Sequence, residues 1–128
     1  MAGLSATSLI GAAGAFDLAF AAFHLAFPLL FRWRSRLAKL DPVNRGILVT
    51  LNLMLVFVFA AAGAVLALKP DLVATDALGR GFLFLGAGFW ALRAALQPLI
   101  FGLDHWASKL LLVVFLAGVT LHAAPAWP

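Results

Sequence analysis

The sequence predicts an all-α membrane protein, a four-transmembrane-helix bundle running up-down-up-down with both termini on the outer side. Three observations predict it. Hydrophobic residues make up 65% of the 128 positions and charged residues 11%, with a mean hydropathy of +1.08. A soluble domain carries about 45–50% apolar and roughly a quarter charged residues, so this chain lacks the polar groups to cover itself in water. Four nearly charge-free runs each reach the about 20 residues that a helix needs to cross a bilayer. The basic residues, finally, are shared unequally between the connections. These features exclude a soluble enzyme, a nucleic-acid module and a disordered linker, and they treat 1–128 as one integral membrane domain.

The first span covers about 9–31 and contains one charge, Asp17, before Arg32, Arg34, Arg36 and Lys39 stop it. It exceeds the about 7–15 residues of a signal-peptide core and has no basic side chain before it, so it is expected to be retained. The second, 46–68, has no charge; Asp41-Pro42 opens it as an N-cap followed by proline at the first helical position, and Lys69-Pro70 ends it. The third, 81–103, contains only Arg93 and is capped by Thr75 or Asp76. The fourth, 110–127, has none, with Asp104 expected as its cap. Short connections force neighbouring helices antiparallel.

Orientation follows from Lys and Arg in the connections. The first connection holds Arg32, Arg34, Arg36, Lys39 and Arg45, and the third Lys109; the second holds only Lys69 and Arg80. The first and third connections are therefore expected to be cytoplasmic and the termini outside, in a bacterial cytoplasmic (inner) membrane. Trp33 and Trp106 then mark the cytoplasmic boundary and Trp127 the outer one. The net charge of +4 reads as this topology signal, plus attraction to anionic lipid heads.

Polar side chains in hydrocarbon are costly, about 2.5–3.5 kcal/mol for a central Asp or Arg on insertion scales, so each requires a partner. Six such residues occur: Asp17, His24, Asn52, Arg93, Gln97 and His122. Gly86, Trp90, Arg93 and Gln97 are spaced four, three and four apart and share one helix face, as do Asp17 and His24. Counted at about 1.5 Å per residue, Arg93 lies within reach of Asp17, with His122 able to donate to Asp17. Gln97, Asn52 and His24 continue a polar seam toward the cytoplasm. The alternative is a purely structural ion pair between the helices. Pro28 and Pro98 cannot donate to the carbonyls of His24 and Ala94; the freed carbonyls can accept from Asn52 or Gln97 or line a small hydrated pocket, the plainer alternative being an ordinary proline kink. The stripe Phe16, Phe20, Phe23, Phe27 and Phe31 reads as core or lipid-facing packing. Small residues, from Gly11 to Ala26 on the first helix and Ala60 to Ala64 on the second, permit close approach within the bundle or between protomers.

Several chemistries fall away. There is no cysteine. His24 and His122 differ by about 12 Å in height, too far for bis-histidine haem ligation. Three scattered His and one buried Asp make no zinc site. No Ser or Cys nucleophile flanks Asp17 and His122, and Ser108 and Thr120 read as packing hydroxyls. No catalytic residue, metal or cofactor is therefore assigned.

Phe23-His24-Leu25, Asp41-Pro42-Val43-Asn44-Arg45 and Phe89-Trp90-Ala91-Leu92-Arg93-Ala94-Ala95-Leu96-Gln97 carry a resemblance over nearly the whole chain. It resembles small uncharacterised four-helix integral membrane proteins of bacteria. The resemblance implies the fold and brings no activity and no site residue. The residues favour a non-enzymatic component, a small transport, channel or accessory subunit whose seam binds a small polar group or proton. Its partners are the lipid bilayer and, through the small-residue faces, further copies or a larger membrane complex, with no nucleic acid. The alternative is a lipid- or quinone-binding protein or enzyme using His24, or Asp17 with His122, for proton transfer.

Overall fold

A computed structural model describes residues 4–127, all of whose regular structure is helical. Met1–Gly3 and Pro128, and with them the expected position of the extreme termini, lie outside the described residues. Four helices are long and apolar enough to cross a membrane: Ala6–Leu25, Pro42–Leu68, Ala77–Phe101 and Trp106–Ala126. Large apolar side chains, among them Leu30, Phe57, Leu85 and Val113, stand exposed along the chain, as expected where lipid is the solvent.

The chain gathers into two compact units, Gly14–Val65 and Met1–Ala13 with Leu66–Pro128. In the Gly14–Val65 unit, α1 (Ala6–Leu25) packs on α4 (Pro42–Leu68). Their contacts form a ladder: Gly14 and Leu18 meet Gly63, Phe20 meets Phe59, and His24 meets Asn52. A Cβ on Gly63 would lie 2.8 Å from the Gly14 carbonyl oxygen, so the backbones approach as closely as only glycine allows. Phe20 is buried while Phe31 is exposed, so the phenylalanine stripe runs from core to surface.

The first span is not one helix to Phe31. It stops at Leu25, and a separate turn, α2 (Phe27–Leu30), follows. Pro28 explains the break, because it has no N–H for the His24 carbonyl and its ring excludes a regular turn. Arg32 then takes a left-handed conformation, φ 51°, to start α3 (Trp33–Arg36), which continues as a 3-10 turn at Leu37–Lys39. Asp41 caps α4 as expected, its Oδ1 accepting from the backbone N–H groups of Val43 and Asn44, with Pro42 at the first position. The Asn44 side chain also donates to this carboxylate and, as the largest influence, holds its pKa below the ordinary 3.8.

In the other unit, Ile10, Ala13, Leu66, Val73, Leu83 and Ala126 form the apolar core. The second connection contains a short helix, α5 (Pro70–Thr75), which the sequence did not suggest; Pro70 opens it. Asp76 rather than Thr75 caps α6 (Ala77–Leu96), accepting from Leu78 and Gly79. At Gln97–Phe101 the α-helix gives way to a π-helical turn containing Pro98. The helix α7 (Trp106–Ala126) begins before the expected 110. Its cap is His105, whose Nδ1 accepts from the Ala107 N–H; Asp104, expected in that role, stands one position too early.

Candidate intramembrane polar sites

Within the Gly14–Val65 unit, three of the expected residues are present on α1 and α4. Asp17 and Asn52 are buried and His24 half-buried. The proline break decides what His24 and Asn52 do. Asn52 Nδ2 donates to the His24 carbonyl at 2.9 Å, the acceptor that Pro28 leaves without its helical partner. The amide oxygen of the same side chain is 2.9 Å from His24 Nδ1; an amide oxygen only accepts, so Nδ1 carries the proton. The imidazole stacks on Phe27, with centroids 4.2 Å apart, and leans on Phe59. This is a two-bond clasp between α1 and α4, closed by one side chain.

In the other unit the expected residues Trp90, Arg93, Gln97 and His122 line the contact of α6 with α7. His122 is 1% exposed, and its Nδ1 donates to the Gly118 carbonyl one turn earlier at 2.8 Å. Its ring lies against Gly86: a Cβ there would be 2.5 Å from Cδ2. Trp90 is buried and stacks on Phe115, with centroids 5.9 Å apart and planes 20° from parallel.

Arg93 rests on the same phenylalanine. Its guanidinium carbon is 4.2 Å from the Phe115 centroid and 5.5 Å from that of Phe101, so two ring faces cradle the cation. Its Nη1 is buried and has no hydrogen-bond partner among the described residues. Asp17, expected from the sequence as the partner of this guanidinium, belongs to the other unit, Gly14–Val65. One turn on, Gln97 is almost fully buried, and its Nε2 donates to Ser108 Oγ at 2.7 Å. The Ser108 hydroxyl passes its own proton to the Gly102 carbonyl. Gln97 Oε1, like Arg93 Nη1, has no hydrogen-bond partner among the described residues. A strong donor and a strong acceptor thus stand unsatisfied four residues apart on one helix, where i and i+4 side chains are neighbours.

On α7 sequence reasoning named His122 but missed the roles of Ser108 and Phe115. Ser108, taken as a packing hydroxyl, positions Gln97, and Phe115 supports both Trp90 and Arg93. The signal was available: Ser108, Phe115, Gly118 and His122 recur at seven, three and four, one helix face, and all four are buried. A second omission is a pocket of about 380 Å³ among the helices of the Gly14–Val65 unit, lined in part by Trp33, Arg34, Arg45 and Asn52. Among the described residues no group of three or more His, Cys, Asp or Glu is arranged to hold a metal. Comparison with known protein families, curated proteins and solved structures finds no match to this chain.

Proposed function

We propose that the chain is a non-enzymatic integral membrane protein, a small transport or accessory subunit that binds a small polar group between α6 and α7. The observation that carries this reading is the pair of unsatisfied buried atoms, Arg93 Nη1 and Gln97 Oε1. Within hydrocarbon each such atom costs several kcal/mol, by order of magnitude, until something polar meets it. A group that both accepts and donates, such as a protonated acid, a hydroxylated solute or a water passing a proton, satisfies both at once. The test is flux of protons or small acids into proteoliposomes of the purified protein. Flux lost in Arg93→Ala and in Gln97→Leu supports the reading, and wild-type liposomes as tight as empty ones refute it.

The topology belongs to the same proposal: an up-down-up-down bundle in a bacterial inner membrane, with both termini outside and the first and third connections cytoplasmic. The contact ladders within each unit support antiparallel neighbours. Gly14 to His24 meets Gly63 to Asn52 in reverse order, and Gly86 to Gln97 meets His122 to Ser108 likewise. The orientation rests on the excess of Arg and Lys in the first connection. A carboxy-terminal alkaline phosphatase fusion should be active, and an inactive one inverts the assignment.

A quinone- or lipid-binding role with proton transfer at His24, or at Asp17 and His122, is the second reading. The geometry favouring it is the fixed imidazole of His122, whose Nδ1 proton is committed to Gly118. Quinone co-purifying with the protein and identified by mass spectrometry would favour it over the first.

A further inference from the structure

We infer that the pocket of the Gly14–Val65 unit is a binding site for the head of an anionic phospholipid. The pocket is an open cleft of about 380 Å³, within the range of about 300–1,000 Å³ typical of small-ligand sites. Its lining divides into two chemistries. Arg34, Arg45 and Trp33 come from the polar end, where the first connection meets α4; Pro28, Val49 and Leu53 supply apolar wall. Asn52 also lines it, and lies seven residues from Arg45, about 10 Å along α4. A mostly apolar cleft, with Leu37 and Ala38 beside its two arginines and Asn52 about 10 Å further along, suits an amphiphile with an anionic head and an acyl tail.

Charge complementarity selects the anion. Arg34 and Arg45 line the pocket, and the connection that supplies them also carries Arg32, Arg36 and Lys39 against a single acid, Asp41. That carboxylate makes its hydrogen bonds to Val43 and Asn44, while Arg45 donates one N–H to the Leu40 carbonyl. Guanidinium groups bind phosphate oxygens through paired N–H bonds. Tryptophan beside them suits the interfacial depth at which a phosphodiester sits. Deeper in, Asn52 has used one of its two Nδ2 hydrogens on the His24 carbonyl. The second is available to an ester carbonyl of the same lipid. Exposed Leu29, Leu30 and Leu53 near this end offer the surface along which its acyl chains lie.

The full-length protein in nanodiscs of equimolar phosphatidylglycerol and phosphatidylcholine provides the test, read by native mass spectrometry of retained lipid. Wild type should retain phosphatidylglycerol at least about tenfold over phosphatidylcholine, a ratio worth about 1.4 kcal/mol. The variant Arg34→Gln/Arg45→Gln should lose that preference, while Arg36→Gln/Lys39→Gln, equal in charge change but outside the pocket, should keep it. Circular dichroism of each variant checks the helices. Equal loss in both double variants would show a diffuse basic surface rather than a site, and equal retention of the two lipids by wild type would overturn the proposal. Displacement of phosphatidylglycerol by soluble glycerophosphate at matched concentration would assign the pocket to a free phosphate ester and overturn the lipid as its occupant.

Discussion

Asn52 donates to the backbone carbonyl of His24 and accepts from the imidazole of the same residue, closing the gap that Pro28 opens in α1. Removing the amide in Asn52→Leu takes away both of its bonds to His24, a loss of about 1–3 kcal/mol for each. Pro28→Ala supplies a backbone N–H to that carbonyl. Asn52→Leu should therefore cost about 1 kcal/mol less in the Pro28→Ala background than alone. Equilibrium unfolding in mixed micelles measures this, and strict additivity would show that the carbonyl bond does not stabilise the pair.

Gly86 and His122 are matched in shape, since a Cβ on Gly86 would stand 2.5 Å from the imidazole. Gly86→Ala should destabilise by about 1–3 kcal/mol through overpacking. Gly88→Ala, with nothing within 4 Å of the new atom, should be neutral or slightly stabilising. Combining Gly86→Ala with His122→Ala should recover part of the loss. Thermal unfolding in detergent compares the variants, and equal effects at 86 and 88 would contradict the packing described.

Arg93 sets stability against function. Its Nη1 is buried without a hydrogen bond among the described residues, so Arg93→Leu should leave the unfolding temperature unchanged or raise it while abolishing flux. Phe115→Leu should weaken the wild type by about 0.5–2 kcal/mol more than it weakens the Arg93→Leu variant, the difference being the cation–π contact. A coupling energy of zero in this cycle would place the guanidinium elsewhere.

Asp41 provides a pH-dependent cap. The Asn44 side chain and backbone hold its pKa below the ordinary 3.8. A depressed carboxylate contributes its stabilisation in full above the unfolded value, and loses it as the pH falls through the folded one. Amide proton shifts of Val43 and Asn44 in micelles should stay constant from neutral pH down to about pH 5, where the unperturbed acid (about 3.9) is still ionised, and then change with a midpoint below 3.8. In Asp41→Ala they should show no acid transition. A midpoint above 3.8 would refute the assignment.

Much of this was legible in the residues. Spans of about 20 apolar positions, the Asp41-Pro42 cap and the freeing of the His24 carbonyl follow from backbone hydrogen-bond accounting alone, with Asn52 one of two donors expected for it. The features that escaped notice depend on exact helix starts and on side-chain reach. Placing the fourth helix at 110 hid His105 as its cap and Ser108 as the partner of Gln97. For Arg93 the residues suggested an acid as counterpart, and they did not show the ring faces of Phe101 and Phe115, which are equally available to a guanidinium and which composition does not announce. The pocket arose from the helical turns of the first connection, where a run of arginines reads only as a topology signal.

The π turn at Gln97–Phe101 also has a consequence for phase. In an unbroken α-helix, at about 100° per residue, position 101 would point about 80° away from position 93. The wider turn takes up that angle and swings the Phe101 ring beneath the guanidinium, where it is found. The wide turn works as a one-residue insertion that rotates everything after it. Deleting one residue there would return the segment to α geometry with the ring seven residues from Arg93, about 20° from its direction, so the contact of guanidinium and ring should survive the loss of the wide turn.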